Sequence, residues 1–211
     1  MIMAQDKAYL CKHMKAPHMP DWQDNCWEQA PQRFLADTVS GETPFLNTEV
    51  RLFRDDGQEA LFVRFLGEDD EVLSTFRMHD ECLYRQDVFE LFIAPGDSLT
   101  RYIEIEVSPY DQKFVGWVVN EGAGIELDMD HDIPGLETRA KLMRDVLKTA
   151  SVWRIPYSAF EQKPKAGSKY HFNAFRIDHH TTRGRSLQAL NATGEPNFHV
   201  PAAFIPLVFA K

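Results

Sequence analysis

The chain has little that would staple it, span a membrane or make it basic. Its 211 residues hold three cysteines, Cys11, Cys26 and Cys82. These are too few and too scattered for a disulfide framework, and an odd count leaves at least one free thiol. No Cys-x-x-Cys pair and no Cys/His cluster at zinc spacing occurs. No apolar run approaches the roughly 18 residues of a membrane helix. Positive charge is short: 23 Lys and Arg against 32 Asp and Glu give a net charge of -9. That balance argues against nucleic acid or an anionic membrane as a partner. The first residues, Met1-Ile2-Met3-Ala4-Gln5-Asp6, lack the charged-then-apolar layout of a secretory signal. The chain as it stands therefore reads as cytoplasmic, and as secreted only if a leader has been removed. Long amphipathic helical patterns and internal repeats are also missing. No oligomeric state follows from the sequence.

What is there is strand pattern. A hydrophobic content of 44% in a chain of this length supplies one core and one domain. Residues 1–20, broken by Pro17 and Pro20, read as an extended lead-in with one edge strand near Ala8–Lys12, and residues 21–211 as the domain. Strands are expected at Thr48–Arg54 and Ala60–Leu66, joined by the Asp55-Asp56-Gly57 turn. Others are expected at Val88–Ile93, Arg101–Ser108, Lys113–Val119, Leu136–Leu142, Asp145–Ile155, Tyr170–Ile177 and Phe204–Phe209. In Arg101–Ser108, Ile103, Ile105 and Val107 take one face, and Tyr102, Glu104 and Glu106 the other. The segments 120–134 and 178–196 read as loops. About ten short strands at regular spacing define an all-β chain, a sandwich of jelly-roll character.

One stretch stands out: Leu83-Tyr84-Arg85-Gln86-Asp87-Val88-Phe89-Glu90-Leu91-Phe92-Ile93. Its second half is apolar on both faces, as in a central strand. Glu90 sits inside that run, and a buried carboxylate needs a partner, a ligand or a proton. Arg176, in another apolar strand, offers an ion-pair partner to Asp87 or Glu90 if it is buried. Tyr84 precedes the strand and could lie at a loop rim. Trp117 is a candidate ligand platform; the other tryptophans read as core.

The order of these pieces, continued by Phe172-Asn173-Ala174-Phe175-Arg176-Ile177-Asp178 and Phe198-His199-Val200-Pro201-Ala202-Ala203-Phe204, resembles the family 9 carbohydrate-binding modules and the single-domain proteins like them. The resemblance covers roughly residues 20–210. It implies two antiparallel sheets packed as a sandwich. It further implies a sugar ring held between two aromatics, which fall on Tyr84 and Phe198, with the hydroxyls met by Glu90 and Asn173. His199 beside Phe198 is a candidate donor, and Arg176 a candidate contact. The pattern departs from the family at two positions: Glu106 stands where an arginine is usual, and Phe175 where a glutamine is. The family also often carries structural calcium, for which Asp55, Asp56, Asp69, Asp70, Asp128, Asp130 and Asp132 offer oxygen ligands.

The expected function is non-catalytic carbohydrate binding, a mono- or oligosaccharide packing its C–H face on the aromatics while carboxylate and amide groups take its rim. Two alternatives stand beside it. One is a haem-binding electron-transfer domain, with Met78-His79 as the nearby ligand pair. The other is an enzyme or accessory domain in glycoside hydrolysis, with Glu90, Glu104 and Glu106 as the acidic groups.

Overall fold

The computed structural model describes residues 8–122 and 124–211; the first seven residues of the lead-in lie outside that range. In chain order the strands are β1 (Tyr9–His13), β2 (Arg33–Phe34), β3 (Ala36–Asp37), β4 (Thr48–Asp55), β5 (Ala60–Glu68), β6 (Val88–Ala94) and β7 (Arg101–Val107). There follow β8 (Lys113–Asn120), β9 (Ile125–Asp128), β10 (Glu137–Met143), β11 (Lys148–Pro156), β12 (Lys169–His180), β13 (Gly184–Ala189) and β14 (Ile205–Phe209). The only helical pieces among the described residues are 3-10 turns, at Asn25–Gln29, Leu83–Arg85, Tyr157–Ala159 and Pro201–Ala203.

Two layers result. One runs β10-β11-β5-β4 with β2 beside β4; the other runs β14-β12-β6-β7-β8-β9 with β13 and β3 on the flank of β12. Every pairing within them is antiparallel. Strand β1 joins the layers. Its first half pairs in parallel with β14 (Tyr9 opposite Leu207) and its second half in parallel with β4 (Lys12 opposite Phe53). The expected edge strand near Ala8–Lys12 is thus an interior one, with ladders on both sides. Tyr9 explains why it holds: its ring is fully buried and its hydroxyl donates to the Pro31 and Leu52 carbonyls and accepts from the Leu52 N–H.

The sandwich core lies where the inner faces meet. Val50, Leu52, Leu61, Val63 and Phe65 of one layer pack on Phe89, Leu91, Ile93, Ile103, Ile105 and Val107 of the other. Phe65 stacks on Phe89 with ring centres 5.0 Å apart. Both outer faces are also covered. The chain around Met19 and Trp27 seals the β4–β5 face against Phe53 and Phe62. The segment 198–204 and Leu83 seal part of the β6–β7–β12 face. This second covering is why β6 reads as apolar on both sides.

Fourteen strands appear among the described residues where about ten are expected. The additions are β2 and β3, two residues each, β9 inside the glycine-rich stretch, and β13 inside the polar one. Only β9 (Ile125-Glu126-Leu127-Asp128) and the end of β13 alternate, too briefly to stand out from their polar surroundings, and each of the four pairs with the edge of a longer neighbour. Trp117 is not a platform: it is buried on the inner face of β8, with the Arg101 guanidinium 4.3 Å over its ring.

Candidate binding site

Side chains alternate along a strand, so Glu90 on β6 and Glu104 and Glu106 on β7 all project to the outer face of their layer. Register completes the grouping. Glu90 lies directly opposite Glu106, and Glu104 is one same-face step along β7, opposite Phe92. One carboxylate oxygen from each lies within 4.8 Å of the others. All three side chains are buried, Glu106 completely. Like charges directly opposed on a sheet are destabilising, and little offsets them here. No well-formed hydrogen bond reaches Glu90 Oε1 or either Glu106 oxygen, the Tyr84 N–H and the Glu104 carboxyl standing near Glu106 in poor geometry. Burial raises the Glu104 carboxyl to about 7. Burial and the neighbouring carboxylates push Glu90 and Glu106 well above the usual range. The free cluster at neutral pH therefore keeps protons that an exposed glutamate would lose.

These acids floor a cavity of about 430 Å³. Tyr84, from the 3-10 turn before β6, and Phe198, from the segment after β13, are among its walls. Tyr84 stands at the rim, 45% exposed, where an aromatic face is free to take a ligand. Phe198 is held in place by stacking on Phe175, ring centres 4.2 Å apart and 15° from parallel, a contact worth about 0.5–1.5 kcal/mol beyond burial. That stack gives the Phe175 position its purpose: it is a support for the wall. A further wall is β9, which folds Ile125 and Leu127 over the opening, with Met129 following. Gly116 on β8 makes room for it, since a Cβ there would sit 2.6 Å from Leu127 Cδ1.

Five of the expected residues, Tyr84, Glu90, Glu106, Phe198 and His199, line this one cavity. His199 lies over Phe92, its Nδ1 is 2.8 Å from the Tyr102 hydroxyl, and its Nε2 is 4.0 Å from a Glu104 oxygen. Burial lowers its pKa to about 4, so the ring is neutral. Asn173 is elsewhere: its amide donates to the Asn191 carbonyl and its oxygen accepts from the Asn191 N–H, which clamps the chain after β13. Arg176 points the opposite way, into the sandwich. It bonds Asp178 Oδ1 at 2.7 Å and the Glu68 carbonyl at 2.6 Å, with Asp69 Oδ2 at 3.5 Å. An Arg176–Glu90 ion pair is therefore not made, because adjacent strand positions face opposite sides: Phe175, not Arg176, lies across from Glu90.

Two contributors, Arg185 and β9, were not foreseen, and a third, Glu104, was expected only as an acid of the glycoside-hydrolysis alternative. Glu104 shares the face and spacing of Glu106, and that alternation was legible; the register that brings both to Glu90 was not. Arg185 on β13 is the one arginine or lysine lining the cavity, and it reaches the Tyr84 carbonyl at 3.4 Å. The β9 wall carried only the short alternation Ile125-Glu126-Leu127-Asp128, inside a stretch expected to be a loop.

The seven aspartates do not assemble a calcium site. Asp55 takes the N–H groups of Ala16 and Gly57, Asp56 takes Arg54 and Tyr157, Asp69 takes Thr149, and Asp70 takes Arg183. Among the described residues, only Glu90, Glu104 and Glu106 bring three ligand oxygens to one point. Met78 is exposed and His79 is held to the Lys113 carbonyl at 2.8 Å, both on the surface.

No protein-family model matches the chain, and no curated protein does. Solved structures do. A family 9 carbohydrate-binding module from Caldicellulosiruptor kristjanssonii, solved with cellotriose, shares 18% identity at a TM-score of 0.69, over 96% of this chain and 93% of that one. The same organism's module with glucose gives 18% and 0.67, over 96% and 95%. A presumed carbohydrate-binding protein of Bacteroides uniformis gives 15% and 0.75, over 96% and 98%. The chain has the β-sandwich fold of the family 9 carbohydrate-binding modules.

Proposed function

We propose that this protein binds carbohydrate without transforming it, seating a sugar ring in the cavity between Tyr84 and Phe198. The observation that carries the reading is the cavity itself: about 430 Å³, within the roughly 300–1,000 Å³ usual for small-ligand sites, with an aromatic on its rim, another in its wall and carboxylates on its floor. The C–H face of a sugar packs on the aromatics, and its hydroxyls donate to the Glu90 and Glu106 oxygens that have no donor of their own. The fold supports this reading, since structures sharing it were solved with cellotriose and glucose. Asn173 and Arg176 then act at a distance, as a clamp and as an internal ion pair.

The test is calorimetric titration with a panel of mono- and oligosaccharides. Saturable binding to at least one sugar, weakened about tenfold or more by Tyr84→Ala with the unfolding midpoint little changed, is the expected result. An absence of heat for every sugar at millimolar concentration overturns the reading.

A further inference from the structure

We propose that Glu90, Glu104 and Glu106 bind one hard divalent cation, of the calcium or manganese kind, on the floor of the cavity. Three observations meet there. One oxygen from each carboxylate lies within 4.8 Å of the other two. A calcium ion holds oxygens at about 2.3–2.6 Å, so two of its ligands are at most about 5 Å apart, and the spacing fits one ion between all three groups. The second observation is independent of spacing. Glu106 is fully buried at the cavity floor, and no well-formed hydrogen bond reaches either of its oxygens, the Tyr84 N–H and the Glu104 carboxyl being its nearest polar neighbours. Buried polar atoms of that kind are rare without an unseen partner. The third is the scaffold. The ligands stand on β6 and β7, two paired strands buried through most of their length. They cannot swing out to water, so their geometry is fixed before anything binds.

Charge favours an ion over the alternatives within the protein. Arg185 is the only lysine or arginine on the cavity wall; its charge acts on Glu90, but its hydrogen bond goes to the Tyr84 carbonyl and it opposes only one of the three acids. A dication takes the place of the protons that the free cluster keeps, and leaves the three carboxylates with a single net negative charge. The donor set is all oxygen, which suits calcium, magnesium or manganese better than zinc or copper. Three carboxylates leave coordination positions open on the cavity side. A pair of sugar hydroxyls would fill them, and this last step alone rests on the carbohydrate reading.

The experiment uses the full chain stripped with EDTA and titrated calorimetrically with CaCl2, MnCl2 and MgCl2, with no sugar present. One ion bound per chain, a melting temperature that rises with ion concentration, and binding more than about tenfold weaker in Glu106→Gln are expected. Urea unfolding of Glu106→Gln in EDTA is the folding control, and its midpoint should equal or exceed that of the wild type because a like charge is gone. No saturable binding of any of the three ions, or equal binding by a folded Glu106→Gln, overturns the proposal. So does stabilisation by glucosamine hydrochloride in EDTA with no response to the ions, which would assign the acids to an organic ammonium group. Sugar titrations are then run with and without the ion. Ion binding with no sugar binding in either condition sinks the carbohydrate reading and keeps the ion; sugar binding with no ion binding does the reverse.

Discussion

Replacing Arg176 with alanine separates a structural arginine from a binding one. The guanidinium is 2% exposed and is the cation paired with two buried aspartates: Asp178 at 2.7 Å, itself 6% exposed, and Asp69 at 3.5 Å, 3% exposed. It also donates to the Glu68 carbonyl at 2.6 Å and the Thr48 hydroxyl at 3.2 Å. Removing it leaves two carboxylates facing each other without their paired cation, with only the more distant Arg183 charge acting on Asp178. Breaking a buried pair from one side costs about 3–5 kcal/mol. Burial already raises both aspartates, and Arg176 is the main charge opposing that rise. They would therefore take up protons in the variant, which caps the loss near this range. Against a total stability of about 5–15 kcal/mol the variant is folded but fragile. Urea unfolding followed by tryptophan fluorescence should show a midpoint far below the wild type, and the gap should narrow as pH falls and the aspartates protonate. Ligand affinity of the folded fraction should be unchanged, because Arg176 lies on the opposite face of β12 from the cavity. A stability loss below about 1 kcal/mol, or lost binding at full stability, would refute the assignment.

Other expectations follow from the same packing. Gly67→Ala places a Cβ 2.5 Å from Arg176 Nη1 and 3.3 Å from Phe89 Cζ; overpacking of this kind costs about 1–3 kcal/mol, readable as a lowered melting temperature with ligand binding kept. Gly116→Val should push β9 away and weaken ligand binding in calorimetry more than it lowers the unfolding midpoint; unchanged affinity would show that β9 is not a working wall. In EDTA, stability should fall as pH rises. The native Glu104 carboxyl titrates near 7 rather than at its ordinary 4.5, so the folded chain binds the extra proton and its advantage, of the order of 3 kcal/mol, is complete below pH 4.5 and lost as pH climbs through 7. Glu104→Gln should flatten that slope in urea titrations; an equally steep profile would refute the assignment.

The long strands and the all-β class were legible because their cause is local: alternation in β7, the Asp-Gly turn before β5, the double-sided apolar run of β6. The cavity was legible only in part. Tyr84 and Glu90 carried signals of their own, an aromatic at a loop rim and a carboxylate in an apolar run, while Phe198 was marked only by the family resemblance. The pairing of Glu90 with Glu106 depends on register, which is set by packing between strands and leaves no mark in either sequence alone. Side-chain direction decided the rest. Arg176 and Phe175 are neighbours in sequence and serve opposite faces, one the core ion pair and the other the cavity wall. Strands β9 and β13 were hidden because their stability comes from the edges they dock on, β8 and β12, and not from their own composition.

Strand β1 has a consequence for how the protein is made. Its two ladders are parallel, and the partner of Tyr9–Cys11 is Leu207–Phe209, almost two hundred residues later. A parallel pair at that separation carries a large loop-closure cost that nothing local repays. During synthesis Tyr9 and Cys11 must wait, without their β14 partners, until β14 leaves the ribosome. The sandwich closes only once β14 has been made, rather than growing from its first strand. An arrested chain lacking β14 should expose β1 and β12 to proteases, and the refolding rate of the full chain should respond to substitutions at Leu207 and Phe209 less than its unfolding rate does.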